Sequence, residues 1–193
     1  MDPAQLRAMI ASAQKGSAEA YQAMLDAYGP RLYGYFLRAC GNHHDAEDLL
    51  GEFMLRMVRR LKDYDDRGRL EPWLFRIAAN MVRDRIRRGK ANPTPLSISA
   101  EVEGAVSLGE RLVADGPLAD AEMLAREASV ELNQALDKLD SKTRDMMLLR
   151  HFAEMSFKEI AEMYDCPLGT VLARVHRGLR TLKEVMGKRH GTD

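Results

Sequence analysis

Between Gly89 and Gly116 the sequence loses its helical period: GKANPTPLSISAEVEGAVSLGERLVADG is rich in proline, glycine and small polar residues. On either side, apolar residues return every three or four positions. A chain interrupted in this way is expected to fold as two bodies on a tether rather than around one continuous core. The expected architecture is all-α: a small helical domain at 1–90, a flexible acidic linker at 91–117 and a second small helical domain at 118–193. Leu, Ala, Met, Arg and Glu dominate while aromatics are only 6% of residues, which favours helix over strand. No apolar run approaches the roughly 18 residues of a membrane span, so no membrane partner is expected. MDPAQLRAMIASAQKG lacks the order of a signal peptide and reads as a short helix. Cys40 and Cys166 have no ligand spacing and read as reduced thiols of a cytoplasmic protein.

Cap residues place the helices. Ser17 starts one through AEAYQAMLDAY, which Gly29-Pro30 is expected to end, and a separate helix follows through RLYGYFLRAC to Gly41. Asn42 caps HHDAEDLLGEFMLRMVRRL, acidic in its first turns and basic in its last, as the macrodipole favours. DYDDRGR is a loop, and Pro72 suits the first position of PWLFRIAANMVRDRIRRGK. Beyond the linker, helical pattern resumes near Pro117 and runs through ADAEMLAREASVELNQALDKL. Asp140 or Ser141 caps KTRDMMLLRHF, Ser156 and Glu159 form a capping box, and the last helix follows Pro167.

The formal net charge is zero but strongly segregated. Residues 1–90 carry 16 basic and 12 acidic side chains, 91–127 carry 2 and 7, and 169–190 carry 6 and 1. Partners feel these local fields, because salt screens charge over roughly 8–10 Å. The acidic linker is expected to fold back on the basic faces, to thread a basic channel of a partner, or to act only as a tether. In the first case Glu101, Glu103, Glu110 and Asp115 would screen those faces.

At about 100° per residue, Leu168, Val171, Val175, Leu179, Leu182 and Val185 share one face of the last helix. Gly169, Ala173, His176 and Arg180 lie opposite, flanked by Arg177 and Lys183. A short helix, the turn YDCPLG and a helix with an apolar back and cationic front make a helix-turn-helix that fits the DNA major groove. A plain amphipathic helix with a solvated basic face has the same periodicity. In the helix from Pro72, Leu74, Ile77, Ala78 and Met81 share a face, while Arg76, Asn80, Arg83 and Arg87 line another. Arginines with an amide and nearby aromatics suit splayed single-stranded bases, with Trp73 either a stacking platform or a core residue.

The segments DAEDLLGEFMLRMVRRL, DRGRLEPWLFRIAANMVRDRIRR and LDKLDSKTRDMMLLRHFAEMSFKEIAEMYDCPLGTVLARVHRGLRTLK resemble regions 2 and 4 of bacterial sigma factors. The likeness is narrower still to the small extracytoplasmic-function (ECF) type of the sigma-70 family. The resemblance implies a dissociable subunit that binds the β′ and β subunits of core RNA polymerase and directs promoter-specific transcription initiation, under control of an anti-sigma protein. It implies polymerase contacts at Asp45, Glu47, Asp48 and Leu49. It implies reading and melting of the −10 element by Trp73, Arg76, Asn80, Arg83 and Arg87. It assigns the −35 element to Pro167, Gly169, Thr170, Leu172, Ala173, Arg174, His176, Arg177 and Arg180.

The chain departs from the family pattern where relatives often carry Lys or Arg and then Ser after GTV. Here Leu172 and Ala173 stand, so readout should lean on His176, Arg177, apolar contact and DNA shape. Gly178 replaces a common alanine, a weak spot in a helix interior. LLGEF also replaces a more polar sequence on the polymerase-facing helix.

Three other readings compete. His43, His44, Asp45, Glu47, Asp48 and Glu52 cluster as metal ligands do, but no opposing E-x-x-H helix completes a site. With no phosphate loop or nucleophile motif either, a non-enzymatic protein without metal or cofactor is expected. A helix-turn-helix regulator dimerising through 1–90 would not need the basic face around Asn80. A sigma-like mimic that sequesters an anti-sigma protein would lose that face, yet 76–90 keeps 6 basic residues against 1 acidic.

Overall fold

The computed structural model describes residues 2–66, 68–91 and 130–190. It divides into two compact units, Met1–Ala114 and Asp115–Asp193. The described residues of both are helical and turn, with no strand among them. The linker expected at 91–117 and the helical pattern at 117–129 lie, but for Ala91, outside the described residues.

The first unit contains α1 (Pro3–Gln14), α2 (Ala18–Cys40), α3 (His43–Leu61) and α4 (Leu70–Ala91). Caps fall where the sequence puts them. The Ser17 side chain accepts from the backbone N–H of Ala20 at 3.2 Å, and Asn42 Oδ1 accepts from that of Asp45 at 2.8 Å. Gly41 ends α2 in the left-handed conformation at φ 82°.

The break expected at Gly29-Pro30 does not occur, and α2 runs straight through Pro30. A proline there lacks the N–H that would bond to the Asp26 carbonyl, a local loss that normally ends a helix. Tertiary packing overrides it. Met24 and Ala20 before the proline, and Leu32, Tyr35 and Phe36 after it, are buried on one continuous helix. Splitting α2 would take one set out of the core. The fourth helix begins at Leu70, so Pro72 is its third residue rather than its first. Both positions lie in the first turn, whose N–H groups have no intrahelical partner.

The core of this unit is built on rings. Tyr35 meets Phe36 and Phe75 at centroid distances of 5.7 Å, and Phe36 meets Phe53 at 6.1 Å, within the range where tilted and edge-to-face pairs stabilise. Gln14 Nε2 donates to the carbonyls of Leu61 and Tyr64 at 3.1 and 2.8 Å. Thus α1 gives a second donor to the Leu61 carbonyl at the end of α3, which also accepts from the Tyr64 N–H at 3.1 Å, and ties down the loop that follows.

In the second unit residues 130–136 are helical, followed by α5 (Ser141–Phe152), α6 (Phe157–Tyr164) and α7 (Leu168–His190). Asp140 is the N-cap of α5, its carboxylate accepting from the Thr143 backbone at 3.1 Å. Ser156 and Glu159 complete the capping box of α6. The turn between α6 and α7 pivots on Asp165, left-handed at φ 47°, a conformation aspartate tolerates better than most residues. Beneath the turn Tyr164 donates its hydroxyl to the carboxylate of Asp145, which is buried on α5.

The buried face of α7 differs from the one the wheel puts inward. Val171 and Val175 are core residues, but Leu168 and Leu179 are exposed and Gly178 is buried. The inner face is therefore rotated towards Gly178. A Cβ there would collide with Met147 Sδ and press on Thr143 Cγ2 at 3.0 Å, so glycine sets the closeness of α5 and α7. The residue that reads as a weak spot lies in the contact between α5 and α7, where little beyond a methyl group can be added.

Candidate nucleic-acid interface

Two helices of the first unit carry the candidate −10 surface. Leu74, Ile77, Ala78 and Met81 anchor α4 in the core, which turns Arg76, Asn80 and Arg87 outward and leaves Arg83 half-buried. From α3, Arg56 and Arg60 come alongside. With Asn80, Arg83 and Arg87 they line a groove of about 380 Å³, with Ile77 and Asp84 also in its wall. In sequence the basic end of α3 reads only as a complement to the helix dipole. Arg56 and Arg60, four residues apart and so on one face, were the available signal.

Inside the groove the polar groups orient one another. Arg83 Nη2 donates to Asn80 Oδ1 at 2.9 Å, so the Asn80 amide presents its N–H donors outward. Arg87 lies 3.1 Å from Asp84 and Arg56 2.6 Å from Glu52, both surface pairs that exchange readily for other anions.

Trp73 is neither fully buried nor isolated. Its ring lies 4.6 Å from that of Tyr64, in the loop that α1 holds. Burial, then the Asp66 charge and hydrogen bond, push the Tyr64 hydroxyl up to about 12, so at neutral pH it is a donor to Asp66.

The acidic start of α3 is partly engaged by its own unit. Arg85 of α4 pairs with Asp45 and lies 3.8 Å from Asp48. Asp45 also accepts from Asn42 Nδ2 at 3.0 Å. Leu49 is only 1% exposed and belongs to the core, and one carboxylate oxygen of Glu47 is buried. Of the four residues expected to meet polymerase, Asp48 is the exposed one. Among the described residues no group of three or more His, Cys, Asp and Glu converges as a metal site.

On α7 the exposed arc holds Gly169, Thr170, Leu172, Ala173, His176, Arg177 and Arg180, with Pro167 just before it. Arg174 departs from that set. Its Nη1 turns back to both carboxylate oxygens of Asp140 at 3.1 and 3.2 Å and to Thr143 Oγ1 at 3.2 Å. It ties α7 to the start of α5, across 31 to 34 residues of sequence that a motif cannot bridge.

Burial pushes the Asp140 carboxyl up, but its hydrogen bonds to Thr143 and the charge of Arg174 outweigh this and hold it below the ordinary value. A carboxylate with a depressed folded-state pKa stabilises above its unfolded value near 3.9 and loses that contribution as pH falls below it. Asp140→Ala is expected to cost the second unit about 0.5–2 kcal/mol at neutral pH, the range for losing an N-cap. The deficit should shrink in melts taken below pH about 4. A pH-independent deficit would contradict the assignment.

Residues 24–92 match the family model for Sigma-70 region 2, and residues 129–182 match that for Sigma-70, region 4. The chain is 33% identical over 181 residues to the ECF RNA polymerase sigma factor SigW of Bacillus subtilis strain 168, covering 93% of this chain and 95% of that protein. It belongs to the ECF RNA polymerase sigma factors, the subunits that bind core polymerase and direct promoter-specific initiation.

Solved structures share the fold. CnrH, in complex with the cytosolic domain of CnrY, matches with a TM-score of 0.61 and 23% identity over 94% of this chain and 97% of that one. The sigma factor RpoE, in complex with the anti-sigma factor NepR from Bartonella quintana, matches at 0.63 and 20% over 88% and 98%. Among the described residues no helix is long and apolar enough to cross a membrane.

Proposed function

We propose that the first unit captures core polymerase through the outward face of α3 and opens the −10 element in the groove between α3 and α4, while α7 reads the −35 element. The protein then acts by binding and remodelling DNA, without chemistry of its own, in the cytoplasm. Domain limits of 1–90 and 118–193, joined by a linker at 91–117, suit this division of labour. The observation that carries the reading is the convergence of Arg56, Arg60, Arg83 and Arg87 around the Asn80 amide. Guanidinium groups for phosphates beside an oriented amide for a base edge are what a splayed single strand requires.

An anti-sigma protein is part of the proposal. The fold neighbour RpoE was solved with one, and the exposed start of α3 and the apolar patches of α7 offer it surface.

The test is in vitro transcription with core polymerase and a promoter library, where specific initiation separates this function from mimicry. Two variants then separate the surfaces. Asn80→Ala is expected to reduce permanganate-detected opening roughly tenfold, the effect of losing about 1.4 kcal/mol of base contact, with core binding unchanged. Asp48→Arg should weaken pull-down of core polymerase. Equal capture of the Asp48 variant and the unaltered protein would move the polymerase interface off α3.

A further inference from the structure

The first two turns of α7 offer no guanidinium to DNA, which limits the base edges they can read. On the reading that α7 enters the major groove, we propose that Leu172, with Ala173 beside it, determines specificity by seating the 5-methyl group of thymine in the −35 element.

Leu172 is 43% exposed on an arc it shares with Gly169, Ala173 and His176. Its own unit does not need it, because Val171 and Val175 fill the inner face. Arg174, the one arginine in those turns, is spent on Asp140 and Thr143. Arg177 lies five residues beyond Leu172, about 7.5 Å further along the axis, a distance that suits a phosphate at the groove rim rather than the same base pair.

Base edges differ in what they ask of this position. Guanine shows two acceptors, cytosine a donor and adenine one of each, and all lose water without replacement under an isobutyl group. Thymine alone presents a methyl, and covering it removes apolar surface on both partners from water. Exposed Gly169 and Ala173 keep the helix backbone close enough to the groove floor for that contact. The position is thus selective for thymine and selects against guanine, where an arginine would do the reverse.

Holoenzyme assembled from the full chain and core polymerase would first select from a randomised duplex promoter library. The selected duplex is then remade with 2′-deoxyuridine, which lacks only the methyl, at each thymine of the −35 element in turn. At one or two adjacent positions the exchange should lower retention about fourfold, the factor for one buried methyl group. Leu172→Ala should erase that difference, and Leu172→Arg should select guanine at the same position. Both variants should melt with the unaltered protein, since the side chain lies outside the core. Equal retention of thymine and deoxyuridine duplexes everywhere would overturn the inference. So would a Leu172→Ala variant that keeps the discrimination but binds polymerase less well, which would make the leucine a protein contact. If no holoenzyme enriches any upstream sequence, promoter reading itself fails, and the methyl contact with it.

Discussion

Replacing Gly178 with leucine is expected to destabilise the second unit and weaken its binding to duplex DNA while leaving capture of core polymerase intact. Gly178 lies where α7 packs against α5, and even one added carbon would overlap Met147 Sδ and crowd Thr143 Cγ2. The two neighbours differ in how far they can yield. Met147 has a flexible, unbranched side chain and can swing away from a single methyl. Thr143 can give by only a few tenths of an ångström, enough for a methyl group but no more, since its hydroxyl donates to Asp140 at 2.6 Å and accepts from Arg174. Gly178→Ala should therefore be nearly neutral, as about 1 kcal/mol of helix propensity offsets the displaced methionine. Leucine adds three further carbons, and overpacking a well-filled contact costs about 1–3 kcal/mol. A unit of this size holds only about 3–9 kcal/mol in total. A loss near 2 kcal/mol would lower its melting midpoint by roughly 8–16 °C. The separated α5 would also drag the Asp140–Arg174 tie, which sets how α7 is presented. Calorimetry of the full chain should show one transition moved and the other fixed. A second-unit midpoint within 2 °C of the unaltered protein would show that α5 and α7 do not meet as closely as described.

Local chemistry made the helix ends legible. Ser17, Asn42, Asp140 and Ser156 each cap within three residues of what they satisfy, so their signals survive in sequence. The inward face of α4 was equally plain, because Leu74, Ile77, Ala78 and Met81 differ so sharply from the arginines behind them. Sequence misleads where a distant partner decides. Pro30 reads as a stop because the buried residues that hold α2 together across it exert their effect only in the folded unit. Gly178 has no side chain to vote on a helical wheel, so exposed Leu168 and Leu179 pulled the inferred core face towards themselves. Arg174 reads as a guanidinium without an internal partner until Asp140 is beside it, and Asp45 reads as a free carboxylate until Arg85 reaches across from 40 residues away. Among the site residues, the pattern separated charged from apolar positions well. It could not separate a charge offered to a partner from one already used within the unit.

The largest functional loss is expected from Arg60→Glu combined with Arg87→Glu, on opposite walls of the groove that holds Asn80. Arg60 makes no ion pair among the described residues, and Arg87 has only the exposed pair with Asp84. Both side chains are exposed, so the double variant should change stability by no more than about 0.5 kcal/mol per site. Binding responds differently. Each phosphate neutralised contributes about 0.9 to the log–log salt slope on duplex and about 0.7 on a single strand. Two lost contacts should flatten the slope for a single-stranded −10 oligonucleotide by about 1.4. Removal alone would then cost roughly 25-fold at 0.1 M salt relative to 1 M. Reversing the charges adds repulsion across a Debye length near 10 Å, which brings the expected loss at 0.1 M to about a hundredfold. At 1 M salt, where that length falls to 3 Å, the variant and the unaltered protein should converge. The neutral pair Arg60→Gln with Arg87→Gln identifies the occupant, since without added repulsion a slope change near 1.8 rather than 1.4 would mean that the groove takes duplex. Pull-down with core polymerase should be unchanged, because Asp48 lies at the other end of α3. An unaltered slope would remove the groove from the DNA path and leave Arg56 and Arg60 as a solvated helix end.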